Sequence, residues 1–257
     1  MINERLNGFG ATRPVSDATP HINFNRIAPA RVDVAGVEPI PRDDWPFLYL
    51  RHRSIPALNI RGMAILVVLS LIVLFALAPV RTVRPNPRMF FLGAGFMLLE
   101  TRGVVQMALL FGATWVVNSI VFFAILAMIL ISNGCVVAWK PVRLGPYFAL
   151  LVIVLAVTSV VPLSGFLAWP HTVKLIAASC LVYLPIFFAG VIFAVAFRDS
   201  ASPEVDLGSN IGGIILGGLS ENLSVVLGFN HLLWIAIVFY LLAWGLGPVR
   251  KLTVVRA

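Results

Sequence analysis

The chain has 257 residues, 60% of them hydrophobic and only 12% charged, with a mean hydropathy of +0.96 and a net charge of +8. A soluble domain carries about twice that share of charged side chains, so composition excludes an ordinary water-soluble fold. The positive excess is mainly arginine. Beside a bilayer, arginine serves orientation and contact with anionic lipid, and the chain lacks the clustered basic face that nucleic acid requires.

Residues 1–55 are polar and interrupted by Pro14, Pro20, Pro29, Pro39, Pro41 and Pro46. Periodic apolar residues are too few there to build a core, so the segment reads as a disordered, extended or loosely docked tail. No apolar run follows its first residues, which argues against a secretory signal peptide. Residues 56–257 read as an all-α, polytopic bundle of transmembrane helices. Seven apolar runs follow one another: Gly62–Val80, Met89–Gly112, Ala113–Trp139, Pro146–Trp169, Leu175–Phe197, Leu207–Gly228 and His231–Gly247. Most approach the roughly 20 residues that span a bilayer. The breaks at Gly112–Ala113 and Gly228–Asn230 are uncharged and tight, so each reads as a turn or as a kink in one longer helix. Pro162 and Pro185 fall inside runs and are expected to kink them. Trp115, Trp139, Trp169, Trp234 and Trp244 fall mostly near run ends, as in an aromatic belt. Charge in the short loops (Arg81, Arg84, Arg88, Lys140, Arg143, Arg198, Arg250, Lys251 and Arg256 against Lys174, Arg51, Arg53 and Arg61) places the C-terminus in the cytoplasm.

Within the second run, Glu100 and Arg102 lie near the middle of the span, and Arg102 is about 15 Å or more from either end. Charges at that depth cost at least about 2.5–3.5 kcal/mol and normally face the bundle interior. In the sixth run Asn210, Gly213, Gly217, Glu221 and Ser224 recur at helical spacing and form one stripe. Its glycines, Gly213 and Gly217, admit a close helix neighbour, and its polar members bond across the gap. Arg102 and Glu221 lie at similar depths, offset by about 5 Å, which suits a bidentate pair. That pairing leaves Glu100 without a partner. Gln106, one turn beyond Arg102, and Asn118, Ser132 and Asn133 on the third run are further candidates to line a polar crevice. The two readings of this set are a structural charge network and a ligand-binding site.

No nucleophile with a base stands out. His171 and His231 lie at loop edges without partners, and Cys135 and Cys180 lie in apolar runs with no metal-ligand spacing. Gly93-Ala94-Gly95 reads as a packing feature and not a dinucleotide loop. The expectation is no catalytic residue, no metal and no cofactor.

Asp43-Asp44-Trp45-Pro46-Phe47-Leu48-Tyr49-Leu50-Arg51, followed by Ser54-Ile55-Pro56, resembles the junction that ends the methyltransferase-like domain of bacterial membrane-bound spermidine synthase-like proteins. Phe91 to Thr101 and Phe111 to Asn118 resemble the first spans after that junction, and Leu207 to Gly213 with Gly217 to Glu221 resemble the penultimate span. The similarity runs from about Arg42 to Trp244. The family's chemistry requires a nucleotide-binding domain with a Gly-rich loop. The residues before Asp43 hold no such loop, and a whole domain needs roughly a hundred residues. No catalytic residue carries over, and the resemblance implies a membrane module alone. It also implies a cytoplasmic N-terminus, against the loop charges, so orientation stays open.

The function these readings give is a non-catalytic module of the bacterial inner membrane. It would anchor or scaffold a soluble enzyme or membrane partner, or associate with copies of itself. The alternative is an oligomeric carrier for a small cation such as a polyamine, bound by Glu100 and Glu221.

Overall fold

The computed structural model describes residues 44–47, 50, 52–77, 84–161 and 163–246. These include α1 (Ala57–Leu77), α2 (Pro87–Phe111), α3 (Trp115–Trp139), α4 (Gly145–Val160), a 3-10 turn (Leu163–Ala168), α5 (His171–Arg198), α6 (Pro203–Glu221), a single turn α7 (Ser224–Leu227) and α8 (Phe229–Gly245). Among the described residues the architecture is all-α. Among these residues four segments are long and apolar enough to cross a membrane: α2, α3, α5 and the stretch Pro203–Leu227 that joins α6 to α7. Ala57–Val73, Gly145–Val160 and Phe229–Gly245 are shorter apolar helices. Each helix matches one of the seven apolar runs. Most of the tail, together with Arg81, Arg250, Lys251 and Arg256, lies outside the described residues.

Local chemistry sets the breaks. Asn86 caps α2 by accepting from the N–H groups of Arg88 and Met89, and Pro87 occupies the first helical position. Gly112 ends α2 at φ 91°, a conformation that glycine adopts without steric cost, so this break is a turn and not a kink. Thr114 then caps α3, its Oγ1 accepting from Val117 N–H at 3.3 Å. Gly228, at φ 94°, likewise separates α7 from α8.

The fourth run departs from its expected length. Helix α4 stops at Val160 instead of continuing to Trp169, and Val161 is extended at ψ 114°. Pro162, which lies outside the described residues, follows in the sequence, and a residue before proline is driven from the helical to the extended region. Thr158 and Ser159 bond back to the carbonyls of Leu155 and Ala156 in their own helix. Pro185, by contrast, is contained within the continuous 28-residue α5.

Helix α2 is the centre of the bundle, packed against α6, α8, α5 and α3. Its neighbours approach where it lacks side chains. A Cβ on Gly93 would meet the Asn210 carbonyl, one on Gly95 the Tyr240 ring, and one on Gly103 the Tyr183 ring. On α6, Gly213 rests on the Phe90 backbone and Gly217 on Ala94 and Met97. The small-residue stripe is therefore the α2–α6 seam, with the two helices parallel. Asn210 belongs to it, donating from Nδ2 to the Met89 carbonyl at 3.1 Å. Tyr183, Tyr240, Phe148, Met89 and Leu98 are the largest fully buried side chains of the core. The outward faces are apolar: Phe123, Leu130 and Val137 of α3 are each more than 70% exposed, which suits contact with lipid chains and not water. Trp115 and Trp139, at the two ends of α3, are exposed as a belt requires.

Candidate functional site: a buried arginine relay at one end of the bundle

Arg102 projects from α2 into the interior and is 5% exposed. Its Nη2 donates to the Thr158 carbonyl at the end of α4 (3.5 Å) and to Asn230 Oδ1 at the start of α8 (3.4 Å), and its Nε has no partner among the described residues. The expected Arg102–Glu221 pair does not form. Glu221 instead accepts a hydrogen bond from Thr101 Oγ1 at 3.2 Å. Among the described residues the one ion pair is Arg198–Asp199, at 2.9 Å. The reason is angular. Depth along α2 suited the pair, but a helix turns by about 100° per residue, so Thr101 faces α6 while Arg102 faces α4 and α8.

The relay continues beyond Asn230. The Asn230 N–H donates to Asp44 Oδ1 at 2.7 Å, and the Phe229 N–H donates to the Asp44 carbonyl at 2.8 Å. Asp44 thus caps α8 from far along the chain, supplying acceptors and negative charge where the first N–H groups of that helix lack partners. Its field also reaches the Arg102 guanidinium. Gly228 lies against Asp44 so closely that a Cβ would strike the carboxylate. Trp45, 3% exposed, donates from Nε1 to the Val225 carbonyl of α7 at 2.6 Å. Phe47 stacks on Phe229 with ring centroids 5.6 Å apart, and the Arg53 guanidinium lies 5.6 Å from the Trp45 ring centroid. Part of the segment read as tail is therefore built into the bundle.

The remaining candidates are dispersed. Glu100 is half-buried near Tyr183 and has no hydrogen bond or ion pair among the described residues. Gln106 is half-buried, and its Oε1 has no partner among the described residues. Asn118 is exposed on α3 and lies outside the relay; it sits about 100° around the helix from buried Val117. Ser132 bonds to the Ile129 carbonyl and packs on Gly190, and Asn133 faces a groove between α3 and α6. Among the described residues no group of three metal-ligating side chains comes together. Sequence reasoning missed Asn230 and Thr158 as partners of Arg102, and Thr101 as the partner of Glu221. Asp44-Trp45 stood out only as part of a junction motif. An acidic residue followed by Trp-Pro ahead of the first apolar run was the available signal.

The fold and the apolar outer surface define a helical membrane protein. No family model, curated protein or solved structure matches the chain.

Proposed function

We propose that the chain is a multi-pass protein of the bacterial inner membrane, a module without its own catalysis that anchors or scaffolds a partner. The docking of Asp44–Phe47 carries this reading. A polar segment that would otherwise be a loose leash is fixed to the α7–α8 elbow by two hydrogen bonds to Asp44, one at its carboxylate and one at its carbonyl, a buried indole and a ring stack. Such an attachment fixes the exit of the N-terminal region relative to the bilayer, which an anchor requires and a tether does not. The resemblance to the membrane part of spermidine synthase-like proteins points the same way. A photo-crosslinking residue at His52, exposed beside the docked segment, should capture one discrete polypeptide in native membranes. Adducts to lipid or to the same chain alone would overturn the anchor reading.

The second reading, a carrier for a small cation, draws on a different observation. Glu100 and Glu221 both lie within spans, and neither forms an ion pair among the described residues. Proteoliposomes loaded with the chain distinguish the two. The anchor reading expects polyamine uptake at the level of empty liposomes. Uptake abolished by Glu100→Gln with Glu221→Gln would establish the carrier.

A further inference from the structure

Between the α2–α6 pair and the α3–α5 pair runs a groove of about 910 Å³. Its floor is Leu92 and Phe96 of α2 with Ala189, Phe193 and Ala194 of α5, and Ile129, Val136 and Val137 form the α3 wall. The other wall is Asn210 and Ile214 of α6. The walls stand apart because α6 packs on α2 and α3 packs on α5, each through close contacts at glycine. Along α3 the groove extends from Ile129 to Lys140. That is about 16 Å of helix, close to half of the roughly 30 Å hydrocarbon core and hence one leaflet deep.

One end of the groove is polar. Lys140, Arg198 and Asp199 lie there, at the C-terminal ends of α3 and α5. Asp199 neutralises Arg198, and Arg198 also donates to the Pro141 carbonyl at 3.0 Å. Lys140 has no ion pair among the described residues. It caps α3 in the left-handed conformation, φ 44°. A second cavity, of about 650 Å³, adjoins this end through Asp199 and is lined by Arg84, Arg88, Ser200, Ser202 and Asp206. An apolar trough one leaflet deep thus leads to a mouth at Lys140, beside a polar recess in which two arginines face two aspartates.

We propose that this groove is a binding site for one anionic glycerophospholipid, with an acyl chain between α3 and α6 and the phosphate at Lys140. Charge complementarity selects the headgroup, and the depth of the trough selects the chain. A zwitterionic lipid enters the same trough but brings its own cation to the mouth and loses the advantage.

The test is native mass spectrometry of the full chain from mixed micelles holding equal amounts of phosphatidylglycerol and phosphatidylcholine with the same acyl chains. One phosphatidylglycerol should remain per chain, in about fivefold preference. Lys140→Asn tolerates the left-handed backbone and should bring the preference close to one. Ala194→Trp fills the trough and should lower retention of both lipids. If Ala194→Trp fails to fold, Val137→Trp at the exposed rim takes its place. Equal retention of the two lipids by the wild type would overturn the proposal. So would unchanged retention after the trough is filled, or a dimer that carries no lipid.

Discussion

Arg102 is a charge buried among neutral acceptors, and that determines what its removal costs. Its direct partners are the Thr158 carbonyl and Asn230 Oδ1, not a carboxylate. Truncation therefore strands no buried anion, and the loss is mainly packing volume plus two long hydrogen bonds. Arg102→Ala should destabilise the chain in micelles by about 3 kcal/mol, and Arg102→Met, which restores most of the volume, should recover the larger part of that loss. Thermal unfolding followed by circular dichroism measures both. A Met variant no better than Ala would mean that the charge itself, acting on Asp44, holds the elbow. The two in-span carboxylates differ from Arg102 in being half-buried, and Glu221 has the Thr101 hydroxyl beside it.

At the scale of elements, the α2–α6 seam and the α7–α8 elbow are the two contacts that give the bundle its particular form. The seam depends on the absence of a Cβ. Gly213 and Gly218 lie on the same helix, yet a Cβ on Gly213 would collide with the Phe90 backbone, whereas one on Gly218 meets nothing within 4 Å. Gly213→Ala should lower stability by about 1–3 kcal/mol through forced separation of the helices. Gly218→Ala should be neutral or stabilising by up to about 1 kcal/mol, since alanine is the better helix former. Equal losses in the two variants would show that the helices do not meet on this face. The elbow depends on the inserted Trp45. Trp45→Ala removes a buried ring and leaves the Val225 carbonyl without its donor, at a cost of about 3–5 kcal/mol. Limited proteolysis should then cut between Asp44 and Ile55 much faster than in the wild type. Unchanged cleavage would mean that the segment is held elsewhere.

For the whole molecule, the distribution of contacts divides the helices unequally. Helices α2 to α5 and α8 share one core and α6 packs on α2 through its glycine seam, whereas α1 touches the described bundle chiefly through the Asn59–Asn222 hydrogen bond of 3.4 Å. Leu69 of α1 is 55% exposed and Leu151 of α4 fully buried. Leu151→Ala should cost about 2–5 kcal/mol of bundle stability, and Leu69→Ala should leave the unfolding midpoint where it is. A matching fall in both would place α1 against the core. The charged loops also divide by end. Arg84, Arg88, Lys140, Arg143 and Arg198 belong to the end where α2 begins, and the relay of Asp44 and Asn230 to the other. The proposed lipid groove opens at the basic end, opposite the docked segment.

The sequence by itself determined the all-α class, the seven apolar helices and most of their ends. Hydropathy, Asn86-Pro87, Gly112 and Thr114 act within one or two helical turns, and local signals of that range are written in the order of residues; α4 is the exception, ending at Val160 where its apolar run continues to Trp169. It also placed Gly213 and Gly217 on a packing face, because spacing along one helix fixes which residues share a side. The tertiary structure decided what each polar group meets. Depth arithmetic brought Arg102 level with Glu221, but the rotation of α2 gave Glu221 to Thr101 and turned Arg102 toward α4 and α8. The elbow arose in the same way: Asp44 and Asn230 are 186 positions apart, and no periodicity within either segment encodes that they meet. Which helices become neighbours, and at what rotation, is set by the close approach of the Asn210 backbone at Gly93 and of the Tyr240 and Tyr183 rings at Gly95 and Gly103, so the partners of the buried charge emerge only when all six packed helices are in place.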